Sequence, residues 1–486
     1  MQAADQARET HSHMETAKHL TRALELNGEL GKPRSDQEIA TWHQNLAQAL
    51  FEMNQVHASI TQFKSAVWLL LRDVRRPSNP AIGAIREFAI LKTRGMKREP
   101  DENKRKRLLA AADCCIQLAF QHYEINELIH SMHYTFLAVN LAKMAGEDSE
   151  ALARSNLNLS IASFSLPFAL DGDRHLRYGM QIAQRSNDLK LKYWVHFTAS
   201  SYNAAAGRYK AGIQDAKRAS DISHTHMLPR DSEAADAQLA VSLRLAGAYR
   251  DSAAADQATI DSARARGVLQ TQIWSLAGHL KSYMMLGDTA MQAEALNALR
   301  SLLSDPTARE NCSASNFANY CMGEAFAAGE GDRRDDVAYW LVEAVETLTS
   351  ISDPQVYMTD APGYFSDALL LAWYRSGNDE YLRLCGSLRK YARKLAKLYP
   401  GARPLKHIVD GDYARMRGDD KAAARGWNKA VQVAYSANLP LEVARGSHRL
   451  AHADGSVSRP ASLDELPHNI PYPWILLEKS AKQALS

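Results

Sequence analysis

Residues 239–267 read LAVSLRLAGAYRDSAAADQATIDSARARG. Before Gly247 the apolar residues at 239, 240, 241, 243, 245 and 246 are too dense to set a period. After it, Tyr249, Ala253, Ile260 and Ala263 keep a helical spacing with polar residues between them. Gly247 stands at the junction, where a helix end needs a left-handed backbone that glycine reaches without steric cost. Gly267 closes the second segment. Working outward, Gly207, Gly247 and Gly287 recur at two equal intervals of 40 residues. Tyr209 and Tyr249 each follow their glycine by two positions, and Trp194 and Trp274 precede Gly207 and Gly287 by 13. Two helices of about 17 residues, each roughly 25 Å long, fill one interval together with short turns. A fixed interval of this size marks a stacked repeat, so the spacing predicts an all-α superhelical solenoid of antiparallel helix pairs.

The pattern extends along the chain more loosely. An amphipathic helix is expected over 1–27, then a hairpin of 37–53 and 57–71, with Asp36 as its N-cap and Asn54 at the turn. In its second helix Ile60, Phe63, Ala66, Val67 and Leu70 share one face. Pro77 and Pro80 break the pattern, and a helix near 81–91 leads into a basic loop containing Gly95 and Pro100. Further pairs are predicted at 105–120 with 123–144, 149–166 with 173–187, 316–328 with 335–349, 365–375 with 380–398, and 406–416 with 421–434. The organisation expected is N-terminal repeats at 1–75, an irregular basic insertion at 76–107 and a repeat array at 108–452. A Pro/Ser-rich linker at 453–472 and an amphipathic helix at 473–486 follow. No alternating run predicts a strand.

Composition narrows the class. With 46% hydrophobic and 23% charged residues among 486, the chain is ordinary for a folded soluble protein. The longest apolar run, AVWLLL at 66–71, is too short to span a membrane. The first residues lack the apolar core of a signal peptide, so the cytoplasm is expected. Cys114, Cys115, Cys312, Cys321 and Cys385 form no C-x-x-C pair and read as buried thiols. The net charge of +3 hides a contrast: 92–107 carries +5, 389–406 carries +7, and the rest carries −9. Such islands can steer an acidic partner.

These residues resemble tetratricopeptide-like (TPR-like) repeats, in which a turn glycine is followed by an aromatic residue and then by small residues where helices cross. Gly207, Tyr209, Gly212, Ala216 and Ala219 match that pattern, as do Gly247, Tyr249, Ser252 and Thr259. Gly418, Ala423, Trp427 and Ala430 match again, and so do Asn54, Ser59, Phe63 and Ala66. The period of 40 departs from the family's roughly 34, and the regular proline after each second helix is missing. The array is similar to the C-terminal helical region of bacterial signal-transduction ATPases, transcription regulators and adenylate-cyclase-linked proteins. That likeness implies a regulatory, signal-transduction role. The nucleotide-binding module of those proteins is not found: GELGKPRS at 28–35 lacks the spacing, and the Ser/Thr after Lys, of a phosphate-binding loop.

Little chemistry is visible. Glu127 and His130 lie one helical turn apart, the spacing of di-iron bundles, and His122 and His133 are near in sequence. A di-metal enzyme is the alternative this pair raises, although no second E-x-x-H follows. His448 and His452 have zinc-protease spacing, but Arg449 stands where that motif requires Glu. No catalytic signature and no cofactor motif is present, so neither an enzyme nor a cofactor is expected. In 388–399, Leu388, Tyr391, Ala392, Leu395 and Tyr399 form one stripe, and Arg389, Lys390, Arg393, Lys394 and Lys397 a basic surface opposite. The function expected is a protein-interaction or sensory scaffold with a concave groove. Arg244 and Lys281 would face that groove and Trp194 and Trp274 would stand near its wall, suiting an acidic peptide or anionic ligand. A module acting on nucleic acid through the basic islands is the second reading.

Overall fold

The computed structural model describes residues 12–453, with Ala4 and Ala7, apart from 30–33, 54, 73–78, 94, 96–98, 100, 126, 147–148, 167–169, 227–228, 311 and 331–332. The helix expected at 473–486, almost all of the linker before it, and the turn residue Asn54 therefore lie outside the described residues. No strand occurs among those described.

The chain divides into two compact units, residues 1–198 and 199–486. In the first lie α1 (His13–Glu29), α2 (Asp36–Glu52), α3 (Val56–Leu70), α4 (Pro80–Thr93), α5 (Glu102–Glu124), α6 (Leu128–Ala145), α7 (Glu150–Ala162) and α8 (Gly172–Gln184). Helix α9 (Leu189–Ala205) crosses the division. The second unit continues with α10 (Tyr209–His226), α11 (Pro229–Leu245), α12 (Tyr249–Arg266), α13 (Leu269–Leu286), α14 (Thr289–Leu303), α15 (Pro306–Glu310) and α16 (Ala314–Glu330). After α17 (Arg334–Ser350) come α18 (Ala361–Ser376), α19 (Asp379–Leu398), α20 (Arg403–Met416), α21 (Asp420–Ser436) and α22 (Pro440–Ala453). The heaviest packing is between helices adjacent in sequence, as stacked hairpins require.

One register recurs at the helix crossings. The Ser59 hydroxyl donates to the Ala47 carbonyl at 2.7 Å, Ser131 to Ala119 at 2.8 Å, and Ser252 to Ala240 at 2.9 Å. Each serine lies 12 residues after its acceptor. Gly212 holds the same place relative to Ser200, whose carbonyl oxygen would be 3.3 Å from a Cβ built there. A small side chain lets the axes approach, and a hydroxyl there also satisfies a second lone pair of a buried carbonyl. Gly207, Gly247 and Gly287 end their helices at φ of 79°, 81° and 71°, the left-handed turn that their spacing predicts.

Two boundaries differ from the sequence expectation. Helix α2 is capped by Ser35, one residue earlier than expected, because Ser35 and Glu38 close a reciprocal capping box. The basic loop ends sooner than expected, because the Asp101 carboxylate accepts from the backbone N–H groups of Asn103 and Lys104 and starts α5 there. Residues 102–107 are consequently helical.

A close backbone crossing joins α20 to α21. A Cβ on Gly426 would lie 2.8 Å from the Gly411 Cα and 3.2 Å from the His407 carbonyl oxygen. Both obstacles are backbone and cannot rotate away. Gly426→Val is expected to lower the unfolding free energy by about 1–3 kcal/mol, measurable by urea denaturation. An unchanged midpoint would show that the two axes can separate at no cost.

The second unit also closes on itself. Ala204, Tyr209 and Leu245, at its start, form one apolar cluster with Ala434 and Leu439, near its end. Gly207 meets Gly401 backbone to backbone, with a Cβ on either glycine falling 3.3 Å from the other's Cα. Leu441 packs beside Gly247. Helix α22 is thus held against the first hairpins as well as against its neighbour in sequence.

Candidate functional site

Inside the second unit a chain of charged side chains is buried where the sequence suggested an open groove. Arg244 is 8% exposed and donates to Asp256 at 2.6 Å and to the Ser252 hydroxyl at 2.8 Å. Lys281 is 5% exposed, donates to Asp360 at 2.6 Å, and stands 4.6 Å from the centre of the Tyr364 ring. Both cations are therefore committed to carboxylates within the array. Burial pushes the Asp256 carboxyl up to about 6 against the pull of Arg244. Burial also lowers Lys281, with Asp360 opposing that shift. Trp194 lies in the first unit, edge-on to Phe120 with ring centres 5.3 Å apart, and is partly buried. Trp274 is partly buried on α13.

The densest part of the network belongs to α22. Arg449 donates to Asp367 at 2.6 Å and to Asp412 at 2.6 and 2.8 Å. Asp412 also accepts from the Trp427 indole at 2.9 Å and the Ser366 hydroxyl at 2.6 Å. The Arg445 guanidinium lies 3.2 Å from Asp367. Both aspartates are fully buried. Arg449, whose identity excluded a zinc-protease motif, is the cation that ties α22 to α18 and α20. Glu442, on the same helix, is 2% exposed, and its Oε2 is enclosed without a hydrogen-bond partner among the described residues. Burial drives its carboxyl up to about 7, with Arg445 opposing and Asp360 adding to the shift.

On the surface of this unit, α19 buries the stripe predicted for it: Leu388, Tyr391, Ala392, Leu395 and Tyr399 are all inside. Its basic residues have different surroundings. Arg389 and Arg393 share Asp410, at 2.5 and 2.9 Å. The Lys394 ammonium donates to the Ser352 carbonyl. Lys390 is exposed. Arg393 and Lys397 line a cleft of about 490 Å³ together with Ala396, Arg403, Lys406, His407 and Val433. Among the described residues, no carboxylate lies within ion-pair distance of Lys397, Arg403 or Lys406. Burial lowers the His407 imidazole, and the nearby Lys406 and Lys429 add to that shift. The cleft is thus a concentration of positive charge with apolar patches at Ala396 and Val433.

In the first unit, the turn from α5 to α6 brings His122, Glu127 and His130 together. Their ligand-type atoms lie within 4.8 Å of one another, the one such group of three among the described residues. His133 is directed elsewhere, with Nδ1 3.2 Å from the Pro80 carbonyl. With one carboxylate and two imidazoles the group is too small for the di-metal centre that Glu127 and His130 suggested. Cys114, Cys115, Cys321 and Cys385 are buried and form no disulfide, and Gln44 donates to the Cys114 sulfur at 2.8 Å.

No protein-family model and no curated protein matches the chain. Solved structures do resemble it. A Rap protein complexed with competence and sporulation factor is 11% identical, covering 83% of this chain and 99% of its own, with a TM-score of 0.49. The APC/C hetero-tetramer Cut9–Hcn1 is 10% identical, with 100% and 95% coverage and a TM-score of 0.30. A circular tandem repeat protein is 11% identical, with 100% and 96% coverage and a TM-score of 0.16. The hairpin stack, its left-handed turn glycines and its crossing register define a TPR-like helical-repeat protein. No helix among the described residues is long and apolar enough to cross a membrane.

Proposed function

We propose that the protein is a non-enzymatic interaction scaffold that docks an acidic peptide segment of a partner in the α19–α21 cleft. The observation carrying this reading is the lining itself: Arg393, Lys397, Arg403 and Lys406 converge around His407, Ala396 and Val433. Only Arg393 among these cations has a carboxylate partner, Asp410. Unneutralised cations around a concave surface attract carboxylates and steer their approach. The apolar patches would hold side chains between the acidic ones. Arg244 and Lys281 support the same function indirectly, by fixing the helices from within.

The test is fluorescence anisotropy with a labelled oligoglutamate peptide bearing interspersed leucines. Lys397→Glu combined with Lys406→Glu changes side chains at the cleft and is expected to weaken binding by roughly tenfold or more. Added salt should weaken binding to the unaltered protein as well. Equal binding by both proteins would overturn the reading. So would tighter binding of a single-stranded oligonucleotide, which would favour the nucleic-acid module instead.

A further inference from the structure

We infer that His122, Glu127 and His130 form a mononuclear site for a zinc-class divalent cation at the tip of the α5–α6 hairpin. His122 lies in the last turn of α5, Glu127 is the N-cap residue of α6, and His130 is in its first turn. The backbone fixes the turn, because the Glu127 N–H donates to the His122 carbonyl at 2.8 Å. The three ligands are therefore placed by helix ends and not by a wandering loop.

Their donor atoms converge. Glu127 Oε2 is 2.6 Å from His122 Nδ1 and 3.4 Å from His130 Nδ1. Around an ion bonded at about 2.0–2.1 Å, neighbouring donors stand roughly 3 Å apart. The donor spacings are close to that, but the His130 ring lies stacked on His122 at 14°, so it must turn off that stack to aim its in-plane nitrogen at the ion. Glu127 and His130, 44% and 36% exposed, have room to move. His122 is the fixed member, 1% exposed. His130 stacks on it with centres 4.7 Å apart, and Tyr134 with centres 5.6 Å apart. His122 Nε2 is enclosed with no hydrogen-bond partner among the described residues, which leaves Nδ1, already aimed at Glu127, as its ligating atom.

The donor set selects the ion. Two imidazole nitrogens and one carboxylate oxygen suit zinc and its borderline neighbours, whereas calcium and magnesium need more oxygen ligands. Lys64 is the cation that acts electrostatically on His122, and its side chain is exposed and free to swing away. A bound ion would clip α5 to α6. The partial exposure of Glu127 and His130 leaves its remaining positions facing solvent, open to water or to a donor atom from a partner. This site is independent of the basic cleft in the second unit.

Tag-free full-length chain, stripped of metal by chelation, would be titrated with Co²⁺ while the visible d–d absorption is recorded. One cobalt per chain is expected, with the band erased by added Zn²⁺. His130→Ala and Glu127→Gln change partly exposed side chains, so each should keep the helical circular dichroism. Each should also weaken cobalt binding by roughly tenfold or more. His57→Ala, an exposed histidine on α3, should leave binding unchanged. No band with cobalt in large excess, or a band that survives both His130→Ala and Glu127→Gln, would overturn the site.

Discussion

Arg449→Ala is expected to destabilise the second unit by about 3–5 kcal/mol, because it strands two carboxylates in a dry interior. Asp367 and Asp412 are fully buried, and Arg449 makes charge-assisted contacts to both between 2.6 and 2.8 Å. The remaining guanidinium, Arg445, lies 3.2 Å from Asp367. Trp427 donates to Asp412, and it is one of eight tryptophans, so the urea midpoint is read by helical circular dichroism. A companion variant separates lost packing from stranded charge. Arg449→Met combined with Asp367→Asn and Asp412→Asn removes the charges together, and should recover much of the loss. If Arg449→Ala unfolded at the wild-type midpoint, the network would not be holding α22 in place.

Glu442→Gln is expected to be more stable than the unaltered protein at pH 8 and nearly equal to it at pH 5. The Glu442 carboxyl has an ordinary value of 4.5 and is driven up to about 7 in the folded chain. Between those values the folded state keeps a proton that the unfolded chain has released. Its contribution to stability is therefore complete below the ordinary value and is lost as pH rises through about 7. Nearby, Arg244, Lys281 and Arg445 with Arg449 face Asp256, Asp360, Asp367 and Asp412, so positive and negative charges balance while Glu442 is neutral. Ionised, it becomes a surplus buried anion. Thermal midpoints of both proteins across this range test the sign. A variant that lost stability equally at pH 5 and pH 8 would show that Glu442 contributes by shape and not by protonation.

The hairpins were legible because their signals are local. A glycine forced to positive φ, an aromatic residue two positions on and a small residue at the crossing all lie within one turn and its flanks. Gly247, Tyr249 and Ser252 show this together, and the Ser252–Ala240 hydrogen bond explains why the small residue can be a serine. The interior network was not legible. A helical pattern gives the inward face, but it does not say which inward charge has a counter-charge 82 residues away, as Arg449 has in Asp367. For that reason Arg244 and Lys281 read as groove residues when each has a buried partner. The available hint was Asp367 itself, an acid within the apolar run SDALLLAW at 366–373. The His122 cluster was half visible. Glu127 and His130 lie three residues apart in sequence, but His122 joins them only through the turn geometry between α5 and α6.

The seam between Gly207 and Gly401, continued by Tyr209, Leu245 and Leu439, fixes how many hairpins the second unit can contain. An open stack gains or loses a hairpin at its end while the others keep their contacts. Here an added or deleted pair would carry one side of the seam away from the other, stripping cover from apolar surface on both. The unit is length-locked: its loops can vary, but its repeat number cannot change one hairpin at a time.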